Sequence, residues 1–416
     1  MTESHGVNRR RRRKLICGGW LLSMLLSGVL LIVLSARGPL GCLLGLAVAI
    51  VAAALWHRWM IREGGIPVLI YHSVSDKSDW LPWARDISVT PDSFVQHLET
   101  LRSLGCAVIR TSDLIKARQL RRPLPPRAVA LNLDDGYLDN WVAAFPILKR
   151  FGVPATIYVS LDFIEAGETP RPTIDDLAAG RCRTDDMVWD GYLNWAELRL
   201  MEQSGLVEVE SHGVDHGRVP VGPDVIDTIR SDNWRQHAWL QWQAMPGNKS
   251  DWFRHCAPPL VPCGSAVPVN APALTARAWR EGDLESHREY KARVSHELRR
   301  SREELAKELG KDVLILCWPF NASTPVSNEL AFAAGFQAVT GGDDENREGQ
   351  DPAVISRVHV TDLAIGWRWP AANRLAFRAN VRLFQGNYYW GLVALPTNLI
   401  RKLAARLADG RTAVTP

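Results

Sequence analysis

The chain has 416 residues, of which 46% are hydrophobic and 23% charged, with a formal net charge of +4. That length and apolar content support a substantial core in one large domain with appendages. Much of the small positive excess sits in one run, Arg9 to Lys14, so no nucleic-acid surface is expected on the folded part.

The basic residues 1–14 form a tail that abuts Leu15 to Ser35, an apolar stretch long enough to cross a bilayer, and Leu40 to Trp56 is a second, shorter candidate. A cleaved signal peptide needs a shorter apolar core and a small-residue cleavage site, so residues 15–62 read as a retained membrane anchor, either one segment or a hairpin. The cell membrane is the expected location. With both spans inserted, Arg9 to Lys14, Arg58 and Arg62 lie on one side and only Arg37 on the other, which puts the remainder of the chain in the cytoplasm. With one span it faces outward.

Beyond the anchor, strand-like runs occupy 66–74, 106–110, 128–134, 155–160, 206–211, 313–318, 336–340 and 355–360, with helical stretches at 91–104, 140–151, 195–204 and 326–334. Such alternation predicts parallel βαβ units and an α/β fold, a distorted (β/α) barrel spanning 63–381. His72, Asp134, Asp135, His212 and Trp318 all fall at carboxyl ends of these strands, where a barrel carries its site.

In the run Ala128-Val-Ala-Leu-Asn-Leu-Asp-Asp-Gly136, residues alternate as on a buried strand. Consecutive strand residues face opposite ways, so Asp134 and Asp135 can serve one site only if the backbone turns there, and Gly136 tolerates the dihedrals of such a turn. Val207-Glu-Val-Glu-Ser211 then leads into His212 and His216, imidazoles four apart that can converge on one ion. Taken separately, Asp-Asp-Gly is an ordinary turn and the histidines an ordinary solvated or hydrogen-bonded pair. Together they point to a metal-dependent hydrolase, with one carboxylate and two imidazoles leaving coordination positions open and a second carboxylate available as base.

Over roughly residues 66 to 362 the sequence resembles the polysaccharide deacetylases of carbohydrate esterase family four. Family motifs of the types Thr-Phe-Asp-Asp-Gly and Ser-His-Thr-x-x-His correspond to Asn132-Leu-Asp-Asp-Gly136 and Ser211-His-Gly-Val-Asp-His216, and Phe151 to Val159 and Leu193 to Leu198 also fit. The resemblance implies a barrel of about seven strands. It makes Asp134 the catalytic base and Asp135, His212 and His216 ligands of a divalent metal, usually zinc, and it places an oxyanion-binding N–H at Tyr137. The opening Ile66 to Val74 resembles the circularly permuted poly-N-acetylglucosamine deacetylase branch, whose acid histidine comes early, which designates His72 as general acid. His359 is the alternative, near the place where unpermuted members carry theirs, and either histidine can instead be a hydrogen-bonded core residue.

The family motif Arg-x-Pro-Tyr-Gly is replaced by Cys317-Trp-Pro-Phe-Asn321, leaving no arginine there to orient the base, and Arg357 is a possible substitute. Trp318, Pro319, Phe320, Asn321 and Arg357 are the candidate substrate-facing residues, although aromatics beside proline equally often pack a barrel.

Between the second histidine and Val313 lies an insertion, residues 217–312. Its tryptophans 234, 239, 242 and 252 suit a glycan cleft, a membrane interface or packing, and Leu284 to Leu309 reads as an amphipathic helix. Cys256 and Cys263 are close enough in sequence to pair in an oxidising compartment. Residues 382–416 mix aromatic, apolar and basic residues, as suits a segment on a bilayer surface or a helix docked on the barrel.

The expected function is metal-dependent removal of N-acetyl or related acyl groups from an amino sugar of a polysaccharide or lipid-linked saccharide. The alternatives are an inactive carbohydrate-binding relative and a deformylase or amidase of a cytoplasmic lipid-linked sugar. Nothing in the sequence identifies a protein partner.

Overall fold

The structure is a computed structural model that describes residues 3–62, 64–245, 247–254, 260–342 and 345–412. Two compact units emerge, one comprising Val68–Gly342 with Gln350–Thr361, the other Met1–Pro67, Asp343–Gly349 and Asp362–Pro416.

The first unit is built on a parallel sheet of nine strands: β1 (Val68–Tyr71), β2 (Ala107–Ile109), β3 (Ala128–Leu133), β4 (Ala155–Val159), β5 (Val207–Ser211), β6 (Ile315–Leu316), β7 (Ala338–Thr340), β8 (Val354–Ile355) and β9 (Val358–His359). Their order is β8-β7-β6-β5-β4-β3-β1-β9, and β2 pairs with the start of β3. The edge strands β8 and β9 are neighbours in sequence, separated only by Ser356 and Arg357. The sheet therefore curls until one short stretch of chain serves both of its edges, a distorted barrel. All eight strand-like runs contribute to it; the run 355–360, expected as one strand, is divided between the two edges.

Strand β3 is buried along its whole length, as expected where a parallel sheet is covered on both faces. Its interior polar residue Asn132 donates through Nδ2 to Thr111 Oγ1 at 2.7 Å, and Thr156 Oγ1 donates to Glu208 at 2.5 Å. Helices begin where the chain supplies caps. Asn194 and Glu197 form a capping box before α6 (Trp195–Gln203), and Ser286 with Glu289 does so before α7 (His287–Leu309), which ends at left-handed Gly310. Helix α7 buries Val294, Leu298 and Leu305 on one face, the stripe expected of an amphipathic helix. The other helices of this unit include α3 (Pro91–Ser103), α4 (Thr111–Gln119), α5 (Phe145–Phe151) and α8 (Pro325–Ala333).

The second unit starts with α1 (Glu3–Ser35) and α2 (Pro39–Met60). Two stretches, Arg13–Ser35 and Pro39–Met60, are long and apolar enough to cross a membrane. The helices pack closely because Gly41 and Gly45 face α1. A Cβ at these positions would lie 2.1 Å from the Leu34 carbonyl oxygen and 2.9 Å from Leu31 Cα. Helices α9 (Pro370–Phe384) and α10 (Gly391–Thr412) complete the unit. Its core joins Ile16, Cys17, Met60, Ala379, Leu383, Tyr388 and Ala394, so α9, most of which lies in the 63–381 segment read as barrel from sequence, shares the core of the N-terminal helices. Buried Glu345 is held by Arg13 at 3.1 Å and by the Tyr388 hydroxyl at 3.3 Å.

Candidate metal centre and active site

Strand β3 is still paired at Asp134, whose N–H donates to the Tyr71 carbonyl at 2.9 Å. The next two residues are both left-handed, Asp135 at φ 73° and Gly136 at φ 70°. This turn brings the two adjacent carboxylates to one end of the barrel, as the sequence requires if both serve one site. Glycine is needed at 136 for space as well as dihedral, since a Cβ there would approach Val159 Cγ1 to 2.8 Å. Asp135 is not glycine, so its conformation carries strain, as is common at functional positions.

Asp135 Oδ1 lies 3.2 Å from His212 Nε2 and 3.7 Å from His216 Nε2. The three ligand atoms lie within 4.8 Å of one another. His212 leaves β5 with its N–H on the Val159 carbonyl at 2.9 Å, and His216 sits at φ 51°. His212 Nδ1 is 2.8 Å from the Cys317 carbonyl. A carbonyl only accepts, so Nδ1 carries a proton there, and Nε2 is the nitrogen that faces Asp135 and is available to a metal once deprotonated. Two imidazoles and a carboxylate, oriented in this way, suit a divalent cation such as zinc.

Asp134 lies beside this cluster in a buried ion pair. Its Oδ1 accepts from Arg357 at 2.8 Å, and the side chains are 3% and 2% exposed. The Cys317 thiol lies 3.6 Å from Oδ2 and His72 Nε2 3.9 Å from it. Burial pushes the Asp134 carboxyl upward, but Arg357, His212 and His72 more than offset it and hold the group below the usual carboxylate range. At Asp135 burial is likewise overcome, by the His212 hydrogen bond and the surrounding histidines. His212 is disfavoured as a cation by burial, yet Cys317, Asp135 and Asp134 raise it well above its ordinary value. Burial takes His216 down to about 4 against the pull of Asp135.

His72 follows β1, and its ring centroid is 5.7 Å from that of His359 on β9. Both candidate acid histidines therefore stand on neighbouring strands, with His72 carrying the contact to Asp134. Two residues absent from the sequence reading hold this corner. Asp139 accepts from Ser73 Oγ at 2.6 Å and from Val74 N–H at 3.0 Å, while Asn140 donates to the His72 carbonyl at 2.7 Å. Burial pushes the Asp139 carboxyl up to about 6, against the lowering hydrogen bonds of Ser73, Val74 and Asn140. Tyr137 is bracketed by hydrogen bonds from Leu138 to Gly191 and from Leu193 to Gly136, and no backbone acceptor faces its own N–H among the described residues.

The substrate-facing candidates divide. Trp318 has no exposed surface and donates through Nε1 to Asn328 at 2.9 Å. It is a core residue and offers no face to a sugar, which corrects the sequence expectation. Pro319 is buried as well. Arg357 is also withdrawn from solvent, and its guanidinium is directed at Asp134. Phe320, at 43% exposure, and exposed Asn321 remain at the surface. The Phe320 ring packs 4.2 Å from His216, and Arg218 lies 4.8 Å over it. The insertion tryptophans 234, 239, 242 and 252 are buried together with Tyr137, Tyr192, Phe163 and Phe253, so packing is their role. Cys256 lies outside the described residues, and Cys263 is a free thiol.

Residues 121–255 match the polysaccharide deacetylase family. Among curated proteins, YxkH of Bacillus subtilis (strain 168), named as a polysaccharide deacetylase, is 30% identical over 156 residues, 37% of this chain and 44% of that protein. The poly-β-1,6-N-acetyl-D-glucosamine N-deacetylase of Escherichia coli (strain K12) is 25% identical over 150 residues, 36% of this chain and 21% of that protein. The chain thus spans less than half the length of either relative. The structure of a de-N-acetylase from Aggregatibacter actinomycetemcomitans aligns with a TM-score of 0.50 at 22% identity, covering 70% of this chain and 94% of that one, and supports the fold. The segment that carries Asp134, Asp135, His212 and His216 thus lies inside the stretch of this chain that matches the polysaccharide deacetylase family.

Proposed function

We propose that the protein is a membrane-anchored, divalent-metal-dependent hydrolase that removes N-acetyl or related acyl groups from an amino sugar of a polysaccharide or lipid-linked saccharide. One observation carries this reading: the ligand atoms of Asp135, His212 and His216 converge within 4.8 Å beside a carboxylate, Asp134, paired with a buried arginine. Asp135, His212 and His216 would hold the ion, zinc being the expected choice. When bound, such an ion polarises an acyl carbonyl and lowers the pKa of water at its open position.

The residues of this chain supply the rest. Asp134, kept ionised by Arg357, takes the proton of the attacking water. The Tyr137 N–H would donate to the oxyanion that forms. His72 returns a proton to the departing amine, which is a poor leaving group unless protonated. Phe320 offers an exposed ring beside the site for a sugar face.

A cytoplasmic lipid-linked sugar is the second reading, favoured by the hairpin of two apolar helices with only Arg37 at its turn. The decisive measurement on purified full-length protein is bound metal together with amine release from acetylated and formylated amino sugars. One equivalent of metal, and activity lost on chelation and restored by zinc, supports the proposal. Full activity in Asp134→Asn or in metal-free His212→Ala would overturn it. A reporter fused after Pro416 separates the two substrate compartments.

A further inference from the structure

Residues 217–312 interrupt the barrel between its histidine loop and β6, and part of this insertion reaches back to the loop. The described segment 247–254 runs between two site loops, the one after β4 and the one after β5. Its Lys249 N–H donates to the Asp162 carbonyl at 2.6 Å. Asn248 Nδ2 donates to the Ile164 carbonyl at 2.5 Å, and Trp252 Nε1 to the Tyr192 hydroxyl at 2.9 Å. The Lys249 ammonium, on a side chain only 9% exposed, lies 2.6 Å from Asp215 Oδ2 and 3.4 Å from Asp162 Oδ2. Asp215 immediately precedes His216. The two loops are also joined directly, by Leu161 N–H to the Gly213 carbonyl and Asp162 N–H to the Val214 carbonyl, at 3.1 and 2.8 Å.

His216 needs such support. At φ 51° it occupies the left-handed region, which costs a non-glycine residue on the order of 1–2 kcal/mol and persists only when its surroundings hold it there. The loop Gly213-Val-Asp-His216 has no regular secondary structure to fix it. Lys249 is the cation on the Asp215 carboxylate in this loop, and the same ammonium faces Asp162. Without it Asp162 keeps the Arg300 guanidinium at 2.8 Å, whereas the largely buried Asp215 carboxylate beside His216 loses its cation.

We infer that Lys249 is a positioning residue for the metal centre, holding Asp215 and thereby the His216 imidazole in ligating position, so that the insertion is a working part of the site. This rests on the proposed metal-binding role of His216. Groups that orient a ligand from outside its coordination sphere change metal affinity or activity by 10- to 100-fold when removed, and that is the scale expected here.

The test measures zinc or cobalt dissociation constants by chelator competition, with kcat, KM and melting temperature, for the full-length wild type, Lys249→Met and Lys249→Arg. Lys249→Met is expected to weaken metal binding 10- to 100-fold with KM moving less than about threefold. Lys249→Arg is expected to restore most of the loss. A purely structural lysine would lower the melting temperature and leave the metal constant unmoved. A dissociation constant for Lys249→Met within twofold of wild type overturns the inference. Should Lys249→Met fail to fold, Asp215→Asn carries the same comparison, and a constant within twofold of wild type overturns it there. If the wild type binds no metal, the functional reading falls and this inference with it; if the wild type binds and Lys249→Met binds equally, this inference alone is lost.

Discussion

Removing the guanidinium of Arg357 tests the energetic core of the site. Arg357 and Asp134 meet at 2.8 Å with side chains 2% and 3% exposed, so neither charge has water to fall back on. Arg357→Met leaves Asp134 as a buried carboxylate without its ion partner, and deleting one partner of such a pair costs about 3–5 kcal/mol. The guanidinium carbon also lies 5.7 Å over the Tyr158 ring, a contact worth a further ~0.5–2 kcal/mol. Asp134→Asn inverts the problem by orphaning the arginine, with a loss of similar size. The double variant Asp134→Asn/Arg357→Met has no buried charge at this point and is expected to recover at least ~2 kcal/mol of the summed losses. Urea unfolding of the full-length protein in chelator, which removes any contribution from bound metal, gives the four free energies. Losses that add to within about 0.5 kcal/mol would refute the pairing argument. The kinetic counterpart follows from burial: Arg357→Met should lower kcat about 10- to 100-fold with little change in KM. A raised KM at unchanged kcat would return Arg357 to the substrate side.

Three further outcomes follow from single contacts. Burial raises the Asp139 carboxyl in the folded protein to about 6 from its ordinary 3.8, so the folded state binds the extra proton between those values. Its contribution to stability is full below about pH 4, falls as pH rises through 6, and is constant above. The difference is on the order of 3 kcal/mol, and Asp139→Asn should show a correspondingly smaller fall in unfolding free energy between pH 4 and 7; identical pH dependence in the two proteins would contradict the assignment. Replacing His72 with Asn should reduce kcat for the acetylated amine by 10²-fold or more, while His359→Asn does so by less than about tenfold; the reverse order would move the acid to β9. Trp318→Ala should cost about 3–5 kcal/mol of stability as a core truncation, whereas Phe320→Ala should raise KM with the unfolding free energy nearly unchanged, and a KM effect confined to Trp318 would show that its burial is not maintained in solution.

The sequence carried Asp134, Asp135, His212 and His216, the residues the fold brings together, because their signals are local. Strand periodicity placed Asp134 and Asp135 at a strand end, the following glycine announced a turn, and a four-residue spacing joined the histidines. Less legible was anything that depends on which face a residue turns to. Trp318 and Phe320 flank the same proline, yet one is sealed in the core and the other is at the surface, because the chain turns left-handed at Phe320, φ 59°. No spacing in the sequence announces that turn. Asp139 and Asn140 escaped notice because they act on the strand before them through carbonyl and amide contacts to residues 72–74, and Lys249 because its carboxylates lie far from it in sequence.

The closure of the barrel explains why Asp134 is held by an arginine from the end of the domain when Cys317-Trp-Pro-Phe-Asn321 offers none. Val354 and Ile355 pair with Val339 and Thr340 at one sheet edge, and Val358 and His359 pair with Leu69 and Ile70 at the other. Two residues must bridge that gap. Ser356 anchors the bridge by donating from Oγ to the Gly341 carbonyl at 3.1 Å, and Arg357, next in line, is buried within reach of the end of β3, itself paired with β1. The ion pair is thus a product of topology: the stretch that closes the sheet delivers the cation to the carboxylate at the end of β3. A substitution that loosens the closure, such as one that removes the Ser356 hydrogen bond, should therefore act on Asp134 through Arg357, although it touches none of Asp135, His212 and His216.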